Sequence, residues 1–144
     1  MQVRPMKMSD CEQVAAIEAV SFSVPWSLNA FTETLEMDNY RYFVAEEEGE
    51  ILGYCGFSFV LDEAEIPNVC VKESARRQGV GRQMMDVLVK EASAMGISRL
   101  LLEVRVSNHG ARILYESLGF TVDGIRRNFY EKPVENAFLM SMTL

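Results

Sequence analysis

The chain has 144 residues, 49% of them hydrophobic and 24% charged, with a formal net charge of −7. That is the length of one domain with a real core, and no apolar run reaches the ~18 residues that a membrane span needs. The acidic balance argues against nucleic acid as the main partner, because neutralising phosphates calls for a basic face.

Met1 to Pro5 carries no apolar run and does not read as a secretory leader. Val3 to Met6 is predicted to form a short strand. Ser9-Asp10-Cys11-Glu12 has the spacing of a capping box, with Ser9 accepting and Glu12 reaching back. The helix it opens is expected to bury Val14, Ile17 and Val20 on one stripe. Pro25-Trp26-Ser27 ends that helix, and Ser27 caps the next, with Leu28, Phe31 and Leu35 facing inward.

A hairpin follows, with strands over Tyr40 to Glu46 and Ile51 to Leu61 and a turn at Glu48-Gly49. Gly53 and Gly56 within the second strand point to a bulge or a close backbone contact. Glu65 to Val71 is a further strand. Pro67 inside it cannot donate a ladder bond, so pairing must break or be one-sided there.

Gly79 to Met95 has helical period, with Val80, Met84, Leu88, Ala92 and Met95 on one face and Gly96 just past the end. Leu100 to Val106 is apolar enough for a central strand. Ser107-Asn108 open a short helix carrying Ala111, Leu114, Tyr115 and Leu118, and Gly119 ends it. Phe120 starts another strand, and Phe138 to Leu144 is the last. The order β-α-α-β-β-β-α-β-α-β-β, with no linker, repeat or low-complexity run, predicts one α/β domain over residues 1–144 around a single sheet.

Three cysteines (Cys11, Cys55, Cys70) lie in apolar segments without metal-ligand spacing, and there is one histidine. This argues against a metal site and for buried thiols in a reducing cytoplasm. The acidity suits a basic substrate, a polyamine or a Lys/Arg-rich peptide, or serves solubility alone. No residue pattern sets an oligomeric state.

Arg76-Arg77-Gln78-Gly79-Val80-Gly81-Arg82 lies between a strand and a helix start. Free N–H groups and the helix dipole there favour an anion. The glycines let an oxygen approach the main chain, and the arginines add charged donors. The pattern fits a pyrophosphate; the other reading is a turn with solvated arginines. A P-loop is excluded, since Arg82-Gln83 stands where Lys-Ser/Thr is needed. A dinucleotide fingerprint is excluded as well, because Met84 stands where its third glycine would be.

With Val69-Cys70-Val71 before it, this loop resembles the acetyl-coenzyme A loop of the GCN5-related N-acetyltransferases, Gln/Arg-x-x-Gly-x-Gly/Ala, at every fixed position. Leu102-Glu103-Val104-Arg105-Val106-Ser107-Asn108, Ala111 and Leu114 to Phe120 look like the ribosomal-protein-alanine N-acetyltransferases, the RimI type. Pro25-Trp26-Ser27 with Phe31, Leu61 to Ile66 with Asn68-Val69, and Arg126 to Tyr130 with Pro133, Glu135 and Ala137 agree, so the resemblance covers essentially the whole chain. Pro67, Glu73-Ser74, Phe129 and Asn136 depart from the family pattern, the last two where a peptide would bind.

The resemblance implies a mixed, mostly antiparallel sheet of about seven strands, with the fourth and fifth splayed to hold acetyl-coenzyme A. It implies that Val69, Cys70 and Val71 align the thioester, that Arg76, Arg77, Gln78, Gly79, Val80, Gly81 and Arg82 hold the pyrophosphate, and that no metal is needed. Asn108 would bond the pantetheine, cap the helix, or do both.

Amide formation needs a base for the ammonium, a donor to the carbonyl oxygen and an acid for the thiolate. Glu103, on an otherwise apolar strand, is the candidate base, directly or through water; the other reading pairs it with Arg105. Tyr115 is the candidate acid or else a core aromatic. Trp26 and Tyr130 are candidate walls of a peptide groove, with core packing equally open for Trp26. His109 is assigned nothing, and Cys70 reads as a buried filler.

The expected activity is acetyl transfer to a protein α-amino group, that of an N-terminal alanine on a basic ribosomal protein, without nucleic acid or membrane as partner. The alternatives are a lysine or small-amine acetyltransferase and a coenzyme A-binding module without turnover.

Overall fold

The structure, a computed structural model, describes residues 1–144. Its elements are β1 (Gln2–Pro5), α1 (Cys11–Ser21), α2 (Leu28–Glu36), β2 (Tyr40–Glu47), β3 (Glu50–Val60), β4 (Glu63–Val71), α3 (Val80–Ala94), β5 (Arg99–Arg105), α4 (His109–Leu118), β6 (Thr121–Glu131) and β7 (Val134–Thr143). The order is the one expected from the sequence. One seven-stranded sheet runs β1-β2-β3-β4-β5-β7-β6, and every pairing is antiparallel except β4 with β5.

Side chains alternate across the strands, so the sheet carries a core on each face. Phe43, Ala45, Leu100, Leu102 and Val104 pack with Met84, Met85, Leu88 and Ala92 of α3 and Tyr115 of α4. On the opposite face Tyr42, Val44, Ile51 and Tyr54 pack with Val14 and Ile17 of α1 and Phe31 of α2. No helix is long and apolar enough to cross a membrane.

Several local signals act as expected. Ser27 Oγ accepts from the Ala30 N–H at 3.1 Å, and Asn108 Oδ1 accepts from that of Ala111 at 3.2 Å. Glu48 and Gly49 both take positive φ, 50° and 84°, as a two-residue hairpin turn demands. A Cβ on Gly56 would stand 2.5 Å from the Tyr42 ring, and one on Gly53 would stand 2.8 Å from the Cys70 carbonyl, so both glycines permit close contact.

Two expectations about α1 are corrected. Ser9 lies in a single turn of 3-10 helix, Met8–Asp10, and caps nothing. Asp10 does the work instead: its carboxylate accepts from the Lys7 N–H at 2.8 Å and pairs with Arg4 at 2.7 Å. Val20 is 88% exposed, and Glu18 takes the place expected for it on the buried stripe.

Candidate active site

β4 and β5 are paired from Glu63 opposite Arg99 to Glu65 opposite Leu101, and then they part. The cause lies in β4. Gly56 of β3 faces Asn68 and Ser58 faces Glu65, so Phe57 alone opposes two residues, Ile66 and Pro67. This is a bulge at the proline, where no N–H exists to donate. It also swaps the faces: Ala64 and Ile66 belong to the core under α3, while Cys70 belongs to the core under α1 and α2. Val69 and Val71 pack against the α3 side. The Lys72 N–H bonds Leu52 of β3, so by alternation the N–H groups of Val69 and Val71 point away from β3, into the gap.

The gap opens into a cleft of about 750 Å³. Ile66 to Val69 and Leu102 to Arg105 line it, with Trp26 and its neighbours on one side and Phe129 to Pro133 on the other. Glu103 and Tyr115 both face this space. The Glu103 side chain is 34% exposed; burial, then the Glu65 carboxylate, raises its pKa, and Arg126 at 3.7 Å opposes the rise. The expected alternative, pairing with Arg105, does not occur. Arg105 bonds Glu135 at 3.1 Å and lies over the Tyr130 ring.

Tyr115 is buried, its ring edge-on to Phe120 at 5.9 Å. Burial pushes its phenol above the ordinary range, and no protein group hydrogen-bonds the hydroxyl. Tyr130 is likewise pushed up to about 12 by burial and then by Glu103. Trp26 packs on Phe31 at 5.3 Å and on Tyr42 at 6.3 Å, and it also lines the cleft. His109 is exposed in the first turn of α4.

Beyond Val71 the chain makes one 3-10 turn, Glu73–Ala75, and enters α3 through positive φ at Arg77 (64°) and Gly79 (79°). The backbone N–H groups of Gly79, Val80, Gly81 and Arg82 have no acceptor in the protein. They leave an edge of free donors at the start of α3. The glycines divide the work differently from the expectation. Gly79 is required by its φ and has open space around it. Gly81 is tightly packed, since a Cβ there would crowd Leu114 Cδ2 at 3.2 Å.

The side chains around this edge are partly committed. Arg76 Nε donates to the Val71 carbonyl at 3.1 Å, and Arg82 Nη1 donates to Ser117 Oγ at 2.9 Å. Gln78 Nε2 donates to the Ser74 carbonyl at 3.4 Å. Arg77 alone of the three arginines has no intramolecular partner. Val80 is buried in the core under α3. The Cys70 thiol is turned away from the gap, so only its main chain borders the site. Asn108 caps α4 and also lines the cleft.

Residues 11–120 match the acetyltransferase (GNAT) family. The chain belongs to this family. A relative from Bacillus subtilis (strain 168), named provisionally as a ribosomal protein bS18-alanine N-acetyltransferase, is 40% identical over 99% of this chain and 95% of its own. The ribosomal protein bS18-alanine N-acetyltransferase of Escherichia coli (strain K12) is 33% identical over 99% of this chain and 97% of its own. The crystal structure of the Escherichia coli ribosomal-protein-S18-alanine N-acetyltransferase superposes with a TM-score of 0.90, covering 99% of this chain and 92% of that one at 33% identity. The protein is thus an acetyltransferase of the GNAT family, with that family's fold.

The GNAT cleft also contains a group that the sequence reading passed over. Glu18 is 3% exposed and lines the cleft beside Trp26 and Asn68. Its signal was present: Val14, Ile17, Glu18 and Ser21 follow the i, i+3, i+4, i+7 register of the inward face, so a charge stood where an apolar residue belongs.

Proposed function

We propose that this acetyltransferase moves the acetyl group of acetyl-coenzyme A to the N-terminal α-amino group of a protein, the alanine of a small-subunit ribosomal protein. The names of the full-length relatives support the acceptor. The single observation that carries the chemistry is the parting of β4 and β5 after Glu65 and Leu101, which sets free backbone amides between a carboxylate and a phenol.

The site suits acetyl-coenzyme A on three counts. The amides of Gly79 to Arg82 are free for a diphosphate, Arg77 is unpaired beside them, and the gap along Val69 to Val71 offers amide donors of strand spacing. When bound, the thioester supplies an activated acyl group.

The remaining work falls to the chain. Glu103 takes the proton from the acceptor's ammonium, directly or through one water; its raised proton affinity suits a base working near neutrality. One amide of the Val69 to Val71 edge donates to the carbonyl oxygen as charge builds on it, and the other, about 6.6 Å along the strand, is free for the rest of the acyl carrier. The amine nitrogen bonds the acyl carbon as the carbon–sulfur bond breaks; Tyr115 gives its proton to the departing sulfur, and the second proton shed by the new amide nitrogen returns through water to the phenolate. With the Cys70 thiol turned away, the transfer is direct, from one substrate to the other.

The test is intact-mass analysis of small-subunit ribosomal proteins, and of a lysine-free peptide beginning with Ala, after incubation with protein and acetyl-coenzyme A. One added acetyl group on the terminal amine is expected. Transfer confined to lysine side chains or to a polyamine would replace the acceptor, and thiol release with no amine at all would leave only a binding module.

A further inference from the structure

Two carboxylates are buried in this chain, Asp10 at 5% exposure and Glu18 at 3%. Their surroundings differ in kind. Asp10 faces the Arg4 guanidinium, with bonds of 2.7 and 2.9 Å. Glu18 has no cation within 4.0 Å. It is held by neutral donors alone: the Tyr54 hydroxyl at 2.6 Å and Asn68 Nδ2 at 3.4 Å on Oε1, and the Trp26 N–H at 3.0 Å on Oε2. Tyr42 in turn donates to Asn68 Oδ1 at 2.5 Å, which fixes the amide so that its nitrogen faces Glu18.

An ionised carboxylate offers roughly four acceptor positions, and these three bonds leave one on Oε2. The group lines the same cleft as Glu103 but reaches it from α1 rather than from β5. A buried anion without a counter-charge is costly unless something supplies one. Here donors from β3, β4 and the segment between α1 and α2 hold the carboxylate in one orientation at the edge of a solvent-accessible cleft. Such an arrangement is organised in advance for a cation from outside.

We infer that Glu18 is a binding residue for a cationic group of the acceptor, on the reading that the acceptor is a peptide amino terminus. The group is an ammonium or guanidinium, either the α-ammonium itself or a basic side chain close behind it. Glu103 then takes the proton, and Glu18 holds the charge that brings the peptide in.

The experiment compares wild type with Glu18→Gln at saturating acetyl-coenzyme A. Two lysine-free peptides beginning with Ala serve as acceptors, one continuing with neutral residues and one with arginine. Fluorescence of Trp26, the only tryptophan, reports peptide binding directly. The variant should raise the peptide KM by about 30-fold, the size expected for an unpaired buried charge contact, with kcat and the acetyl-coenzyme A KM little changed. A rise shared by both peptides assigns the α-ammonium, and a rise confined to the arginine peptide assigns the side chain. Unchanged KM and binding for both overturns the inference.

Should Glu18→Gln not fold, Tyr54→Phe keeps the charge while removing one neutral donor. It should leave the peptide KM unchanged or lower it, and a rise of similar size overturns the inference. Failure of wild type to acetylate either peptide would instead overturn the acceptor reading itself.

Discussion

The guanidinium carbon of Arg105 sits 4.3 Å from the centroid of the Tyr130 ring, and this contact, with the bond to Glu135, takes Arg105 away from Glu103. Two residues apart on one strand and on one face, Glu103 and Arg105 are natural partners. Glu103 is left instead between Glu65, which raises its proton affinity, and Arg126, which lowers it.

Glu103→Gln should lower kcat by about 10²- to 10⁴-fold, the usual contribution of a positioned base, with the KM for acetyl-coenzyme A little changed. In wild type, kcat/KM should rise with pH through the Glu103 pKa, at a value above the ordinary carboxylate range. Removing the anion in Glu65→Gln should move that limb to lower pH, and removing the cation in Arg126→Gln should move it higher. A pH–rate profile of the three proteins measures both signs, and coincident limbs would rule out Glu103 as the titrating base.

Tyr115→Phe removes a hydroxyl that bonds nothing in the protein. The melting temperature should therefore stay close to that of wild type. Release of coenzyme A thiol should slow by about 10²-fold or more if the phenol is the acid. Unchanged turnover would return Tyr115 to the role of a core aromatic.

Gly79→Ala forces a Cβ onto a residue at φ 79°, at a cost of about 1 kcal/mol in folding stability. The same change disturbs the free amides at the start of α3, so the acetyl-coenzyme A KM should rise while the peptide KM holds. Urea unfolding and steady-state kinetics on one preparation check the two effects separately.

The Arg4–Asp10 pair should matter to stability and not to turnover. Asp10→Asn should cost about 3 kcal/mol, as breaking a buried pair does. Hydrogen bonding from Arg4, and then from the Lys7 N–H, holds the Asp10 carboxyl below its usual range. Its stabilisation is therefore complete above the unfolded value near 3.9 and fades as pH falls through the lower folded one. The deficit of the variant, measured by denaturant titration, should shrink correspondingly in acid.

Features governed by short-range chemistry were legible in the sequence. The element order, the caps at Ser27 and Asn108, the Glu48-Gly49 turn and the broken pairing at Pro67 each follow from one residue's own donors, acceptors or φ preference. The edge of free amides at the start of α3 was legible as well, because it needs no distant partner. What depends on the rest of the fold was not. Ser9 carried a capping pattern, but Arg4 from a separate strand decides that Asp10 occupies the turn. Val20 fitted the helical period, yet α1 rolls so that Glu18 faces Tyr54 from β3. Gly81 read as clearance for a ligand, whereas its neighbour is Leu114, over thirty positions along the chain. Arg76 and Arg82 likewise read as free cations until the Val71 carbonyl and Ser117 were seen to engage them.

The extra residue at Ile66-Pro67 acts as a half-turn of phase for everything after it. Deleting one residue there would leave Cys70 across from Tyr54 on the face it now occupies, but it would straighten β4 beside β5 and let the ladder continue toward Val71. Such a chain could keep an uninterrupted sheet and gain hydrogen bonds, yet it would have no slot in which an acyl chain could lie. On the function proposed above, acetyl transfer depends on a defect held in register, and a single-residue deletion that stabilised the protein would silence it.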